Sequence, residues 1–101
     1  MNTNYRLSVL LIDSNDRDRN YYGDRLKLYS SDFVIFHAAS GKAGLSVSDT
    51  VSIDCVVLEI DLADMSGFEV LVPLVSRPPK IPVVVLTHLT NPFLLVETCR
   101  S

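Results

Sequence analysis

Three acid or hydroxyl side chains stand at the ends of apolar runs: Asp13 behind Leu7–Ile12, Glu59 behind Cys55–Leu58, and Thr87 behind Ile81–Leu86. Carboxylates accept charge-assisted hydrogen bonds and attract cations, and a hydroxyl can donate to an anionic oxygen. Two carboxylates and a hydroxyl brought together would form a site for a cation or a phosphoryl group. Spacing along the chain does not bring them together; the elements around them must. Nucleotide-binding alternatives lack the glycines they need. No G-x-G-x-x-G follows the first apolar run, and Gly41-Lys42-Ala43-Gly44 lacks the spacing of a phosphate loop. Without such a turn the backbone cannot approach a pyrophosphate closely.

The apolar runs read as strands. Cys-Val-Val-Leu and Val-Val-Val-Leu do not alternate with polar residues, which suits strands covered on both faces, as in parallel sheets. A fourth candidate, Phe33–Ala38, is mixed, contains His37 and reads as a strand near a sheet edge. Helical segments separate the strands. Over residues 15–29, Tyr22, Leu26 and Tyr29 recur at helical spacing, and residues 13–16 offer capping side chains. The Tyr21/Tyr22 pair and Tyr29 read as packing groups. Residues 41–49 form a weaker helix, because Gly44 and several serines lower its propensity. A third helix follows Gly67, with Phe68, Val70, Leu71 and Leu74 as its apolar face. Pro73 removes a backbone donor there and should kink or shorten it. Pro78, Pro79 and Pro82 mark the next loop, and a fourth helix starts near Pro92. Strand and helix alternate throughout, which specifies an α/β doubly wound parallel sheet in three layers. In such a sheet function collects outside the carboxyl ends of the strands, near a reversal of strand order. Asp13, Glu59 and Thr87 all belong to that edge.

Composition narrows the function classes. A chain of 101 residues, 48% apolar and 21% charged, is enough for one folded domain, expected over residues 1–101. A net charge of −3 without a basic run argues against direct nucleic-acid binding. No apolar stretch approaches the ~20 residues of a membrane span, and the start of the chain lacks a signal-peptide pattern. Cys55 and Cys99 have no partner at metal spacing and read as reduced, structural thiols, consistent with a cytoplasmic setting.

Residues 9–13, Val-Leu-Leu-Ile-Asp, resemble the first strand and acidic turn of response-regulator receiver domains. Residues 55–71, from Cys55 through Glu59, Asp61, Met65-Ser66-Gly67 and on to Leu71, resemble the phosphorylation segment, its loop and the following helix. Residues 81–87, ending in Thr87, resemble the fourth strand with its terminal hydroxyl. The resemblance spans nearly the whole chain and implies a flavodoxin-like fold and a role in two-component or phosphorelay signalling. It places Glu59, eight residues before Gly67, where receivers carry the aspartate phosphorylated by a histidine kinase. By the same resemblance Asp13, Glu59 and the backbone carbonyl of Asp61 would hold Mg²⁺, and Thr87 would contact the phosphoryl group.

Several positions depart from the family pattern. Ser14 replaces the second acid of the turn, Ala63 replaces a usual proline, and His88 stands where a small residue is common. Mg²⁺ requires octahedral oxygen ligands at ~2.0–2.1 Å, so exchanging a carboxylate for a hydroxyl weakens its site. The longer Glu59 side chain carries the carboxylate away from the in-line position that phosphoryl transfer demands, and could imitate a phosphorylated state. The chain ends at Ser101, before the family's fifth strand and its lysine. The expectation is a C-terminally incomplete pseudo-receiver, not an enzyme, that binds a histidine kinase or other signalling protein, with weak Mg²⁺ affinity. Its fourth strand would lie at an exposed sheet edge open to homodimer pairing. The rival expectation is a working phosphoacceptor receiver in which Glu59 is atypical or engineered. A flavodoxin-like metabolic enzyme has no supporting cofactor motif. Plainer readings make Asp13 a helix cap, Glu59 a carboxylate satisfied by backbone donors, Thr87 a strand former, His88 a loop residue and His37 structural or surface.

Overall fold

The computed structural model of the protein describes residues 6–87. Four parallel strands, β1 (Leu7–Ile12), β2 (Phe33–Ala38), β3 (Cys55–Glu59) and β4 (Val83–Leu86), alternate with α1 (Asp16–Tyr29), α2 (Gly41–Thr50) and α3 (Gly67–Ser76). The sheet order is β2-β1-β3-β4, so β1 lies between β2 and β3 and the winding reverses there. Register sets Ile12 beside Ala38 and Leu58, and Glu59 beside Leu86. The carboxyl ends of β1 and β3 therefore open side by side at the reversal.

Side-chain alternation along β1 divides two packing faces. Leu10 and Ile12 join Val56, Leu58, Val83 and Val85 in the main core, under Val70 and Leu74 of α3 and Leu45 and Val47 of α2. Leu11 points the other way, where it lies beside Gly23 of α1. Helices thus cover both faces, and the expected three-layer α/β arrangement is present. Each fully buried Leu, Ile or Val contributes ~1.5–3 kcal/mol relative to exposure, so the nearly continuous apolar strands supply most of the drive. Gly44 is what lets α2 approach: a Cβ there would collide with Ile12 Cδ1.

The elements differ from expectation in detail. α3 runs through Pro73 and continues to Ser76; the proline does not end it. Strand β4 begins at Val83 and not at Ile81, because Pro82 has no N–H to give the ladder, although its carbonyl still accepts from Val56 N at 2.9 Å. The packing face of α1 differs from the spacing-based expectation. Tyr29 and Leu28 are 86% and 80% exposed, Tyr21 is exposed, and Gly23 is the helix's buried residue. Tyr22 and Leu26 are half-buried. At Gly23 the helix seats against Leu11 of β1 and His37 of β2. His88, Cys99, the helix near Pro92 and whatever follows β4 in the sheet, including the expected open edge, lie outside the described residues.

Candidate functional site

Asp13 follows the last residue of β1, and its N–H still bonds Ala38 O at 3.1 Å. Its carboxylate is buried at 5% exposure. Oδ1 accepts from Asn15 N at 2.9 Å, a local turn that aims the chain into α1. Asn15, not Asp13, is the N-cap of that helix, its side chain accepting from Asp18 N at 2.9 Å. The other oxygen, Asp13 Oδ2, is buried without a hydrogen-bond partner. A buried carboxylate oxygen in that condition calls for a further positive or hydrogen-bearing group. Arg19 braces the same turn from α1: Nη1 donates to Asp13 O at 2.6 Å, Nη2 to Asp16 Oδ1 at 2.6 Å, and Nε to His37 Nδ1 at 3.3 Å.

Glu59 closes β3 and is 4% exposed. Its Oε2 accepts from the backbone N–H of Asp61 at 3.1 Å, so the carboxylate folds back over the start of its own loop. Gly67 fixes the loop's other end, its N–H donating to Ile60 O at 2.7 Å. Between them, Asp61 and Ser66 form an isolated antiparallel bridge. Ser66 and Glu69 complete a capping box at the start of α3. Two further bonds tie the loop outward. Ser14 Oγ accepts from Ala63 N at 2.9 Å, and the Asp64 carboxylate accepts from Gly41 N at 2.8 Å and Lys42 N at 3.0 Å. The Lys42 and then the Gly41 N–H hold the Asp64 carboxyl below its ordinary value.

An open cleft of about 370 Å³ lies between these two loops, lined by Asp13, Ser14, Asn15, Glu59, Asp61, Leu62 and Ala63. Of the residues expected at a site, Asp13, Ser14, Glu59 and Asp61 come together in it. Thr87 follows β4 at the same edge of the sheet but is not among the lining residues. Asn15 falls within the 13–16 stretch expected to cap the helix, whereas Arg19 and Asp64 were not expected as positioning groups. Arg19 reaches back to Asp13 and Asp16 and across to His37, and Asp64 acts on Gly41 and Lys42 more than 20 positions away; neither arrangement shows as a local pattern. Tyr22 feels the same acids: its phenol is pushed above the ordinary value by burial first, then by Asp18, Asp13 and Glu59. Among the described residues no group of three or more His, Cys, Asp or Glu side chains could hold a metal ion. A cation here would rely on the two carboxylates and on backbone or hydroxyl oxygens.

The sequence model of the response regulator receiver domain matches residues 9–100. The chain belongs to that family. Among curated proteins it is 29% identical over 83 residues to the probable transcriptional regulatory protein SilR of Salmonella typhimurium, covering 82% of this chain and 36% of the relative. It is 32% identical over 87 residues to a probable cyclic di-GMP phosphodiesterase of Vibrio cholerae, covering 84% of this chain and 19% of that protein. The receiver therefore spans about a third or less of these relatives. Solved structures agree on the fold. The signal receiver domain of a DNA-binding response regulator from Colwellia psychrerythraea gives a TM-score of 0.79 at 21% identity, covering 87% of this chain and 73% of the other. Chemotaxis regulator CheY4 of Vibrio cholerae gives 0.77 at 21% identity, covering 88% and 74%. A Burkholderia pseudomallei regulator with a phosphorylated aspartic acid and a calcium ion gives 0.75 at 18% identity, covering 86% and 50%. Receivers in general bind Mg²⁺ at an acidic pocket and interact with histidine kinases and effector domains. No helix among the described residues is long and apolar enough to cross a membrane.

Proposed function

We propose that this receiver works as a pseudo-receiver, a phosphorylation-independent protein-interaction module of a two-component or phosphorelay pathway in the cytoplasm, engaging a histidine kinase or another signalling protein. The observation that carries the reading is the Glu59 carboxylate: at the phosphoacceptor position, 4% exposed, and accepting from Asp61 N at 3.1 Å. A nucleophile must approach the phosphorus in line with the leaving oxygen, and a side chain turned back onto its own backbone is poorly placed for that. Ser14 adds to the argument. It gives the cleft a hydroxyl already engaged by Ala63 N in place of a second acid. That bond joins the two loops directly, and the Glu59 side chain, folded over its own loop, occupies part of the cleft between them.

The cleft still fits a cation, weakly. Asp13 Oδ2, buried and without a hydrogen-bond partner, is a ready ligand. Asp13 and Glu59, with the backbone carbonyl of Asp61, would hold Mg²⁺, whose chemistry in receivers is to neutralise charge on phosphoryl oxygens. The same orphaned oxygen favours the second reading, a working phosphoacceptor receiver with an atypical glutamate. Intact-mass measurement after incubation with acetyl phosphate and Mg²⁺ separates the two. No adduct is the expected result; a stable phosphoryl adduct mapping to Glu59 would overturn the pseudo-receiver.

A further inference from the structure

Arg19 is nearly buried, with 11% of its side-chain surface exposed, and all three of its nitrogens are engaged. A guanidinium has five N–H donors, no acceptor, and does not lose its charge in proteins. Its bond to His37 therefore has one possible sense: Nε–H donates and Nδ1 accepts, which places the imidazole's own proton on Nε2. Only neutral His37 can make this bond. Protonation at Nδ1 removes the lone pair and sets an imidazolium against a guanidinium 3.3 Å away.

We propose that His37 and Arg19 are positioning residues for Asp13, forming a brace on the β1–α1 turn that loosens when His37 takes up a proton from solvent. Three pieces of geometry build the brace. Arg19 Nη1 grips the backbone carbonyl of Asp13, the residue that delivers a buried carboxylate to the cleft. His37 lies on β2 opposite Leu11 and three residues before the α2 cap, so its backbone is set by the sheet. Gly23 makes room for that ring against α1, since a Cβ there would lie 3.2 Å from His37 Cε1 and 3.4 Å from Nε2. A glycine inside a helix is costly relative to alanine, and this one admits the imidazole.

The charged groups facing His37 all come from α1. Arg19 and Lys27 oppose its protonation and Asp24 favours it; β1 contributes the apolar Leu11. Partial burial, then Arg19, then Lys27 hold the imidazole below its ordinary value of 6.5. The brace is therefore closed at neutral pH and opens in mildly acidic solution. The third arm of Arg19, Nη2 donating to Asp16 Oδ1 at 2.6 Å, does not involve His37 and keeps the guanidinium beside α1 when the bond to His37 is lost.

The inference concerns this chain's own turn and holds for either function considered above, because its test contains neither phosphodonor nor metal. NMR titration of the full chain would follow the His37 ring and the Asn15 amide, which donates to Asp13 Oδ1. The Asn15 shift should inflect at the His37 midpoint, below 6.5, and His37→Gln should abolish that inflection. Arg19→Lys keeps the charge but loses the planar fork, so His37 should still titrate while Asn15 no longer responds. An Asn15 amide that stays still through the His37 midpoint, or an inflection that survives in His37→Gln, would overturn the proposal. Should Arg19→Lys fail to fold, the wild type and His37→Gln decide it alone.

Discussion

Replacing Gly67 by alanine adds one methyl group where the loop behind Glu59 has no space for it. The new Cβ would lie 2.7 Å from Ile60 Cα, 2.8 Å from Glu59 O and 3.0 Å from Ile60 O. All three neighbours are backbone, and Ile60 is held by bonds from its N–H to Leu86 O and from Gly67 N to its carbonyl. No rotamer change relieves the clash, so the loop or the first turn of α3 must shift. Glycine is needed here for space and not for conformation, since no residue with positive φ occurs among the described residues. Overpacking typically costs 1–3 kcal/mol. Alanine recovers up to about 1 kcal/mol of helix propensity, less at a helix start than inside it. The net loss is about 1–2 kcal/mol. With a urea m-value of ~2 kcal/mol/M, the denaturation midpoint should fall by about 0.5–1 M with m unchanged. Because the moving atoms include the Glu59 carbonyl and Ile60, the Asp61 amide resonance should shift as well. A midpoint equal to or above that of the wild type would refute the spatial argument.

Gly44→Ala would press its methyl into Ile12, a β-branched core residue with no exposed surface, so it too should lower the urea denaturation midpoint. Leu58→Ala, at a fully buried position next to Glu59, should cost about 2–5 kcal/mol by the same assay. Asp64 titrates lower when folded than its ordinary 3.8, so it stabilises above that value and the contribution disappears as pH falls through the folded value. Asp64→Asn should therefore flatten the acid side of a plot of thermal midpoint against pH, read from melts between about pH 5 and 2. Glu59→Asp should restore little acetyl-phosphate labelling by intact mass, because Ser14 still stands where an acid is usual; strong labelling would mean that Glu59 alone silences the site.

Much of the fold was legible because the strands announce themselves. Residues 7–12 and 33–38 were bounded correctly by their β-rich composition, and the third run needed only Glu59 added. Alternation with helices then gave the winding, and the winding gave the edge where Asp13 and Glu59 meet. Pro82 shortened the last strand for a local reason that its missing N–H already implied. Less legible was everything decided by distance between elements. Tyr29 looked like a packing residue because it shares a period with Tyr22 and Leu26, yet at the last position of α1 it lies in solvent. The Asp61 N–H, which the resemblance did not single out, is the group that Glu59 accepts from. Ser14 read as a lost ligand, and the structure adds that its hydroxyl holds Ala63, a contact separated by 49 positions in the chain.

The Asp64 carboxylate has a consequence for anyone seeking to interfere with this receiver. It takes both N–H groups at the start of α2 from a position within the loop that walls the cleft, and Gly41 also packs under Met65 of that loop. Helix and wall are thus tied together, and α2 in turn packs on β1 through Gly44 and Ile12. A binder raised against the outer surface of α2 would clamp the wall without entering the cleft. Conversely, a compound wedged into the cleft would be felt on a face that a neighbouring protein can touch. The handle and the lock are the same part.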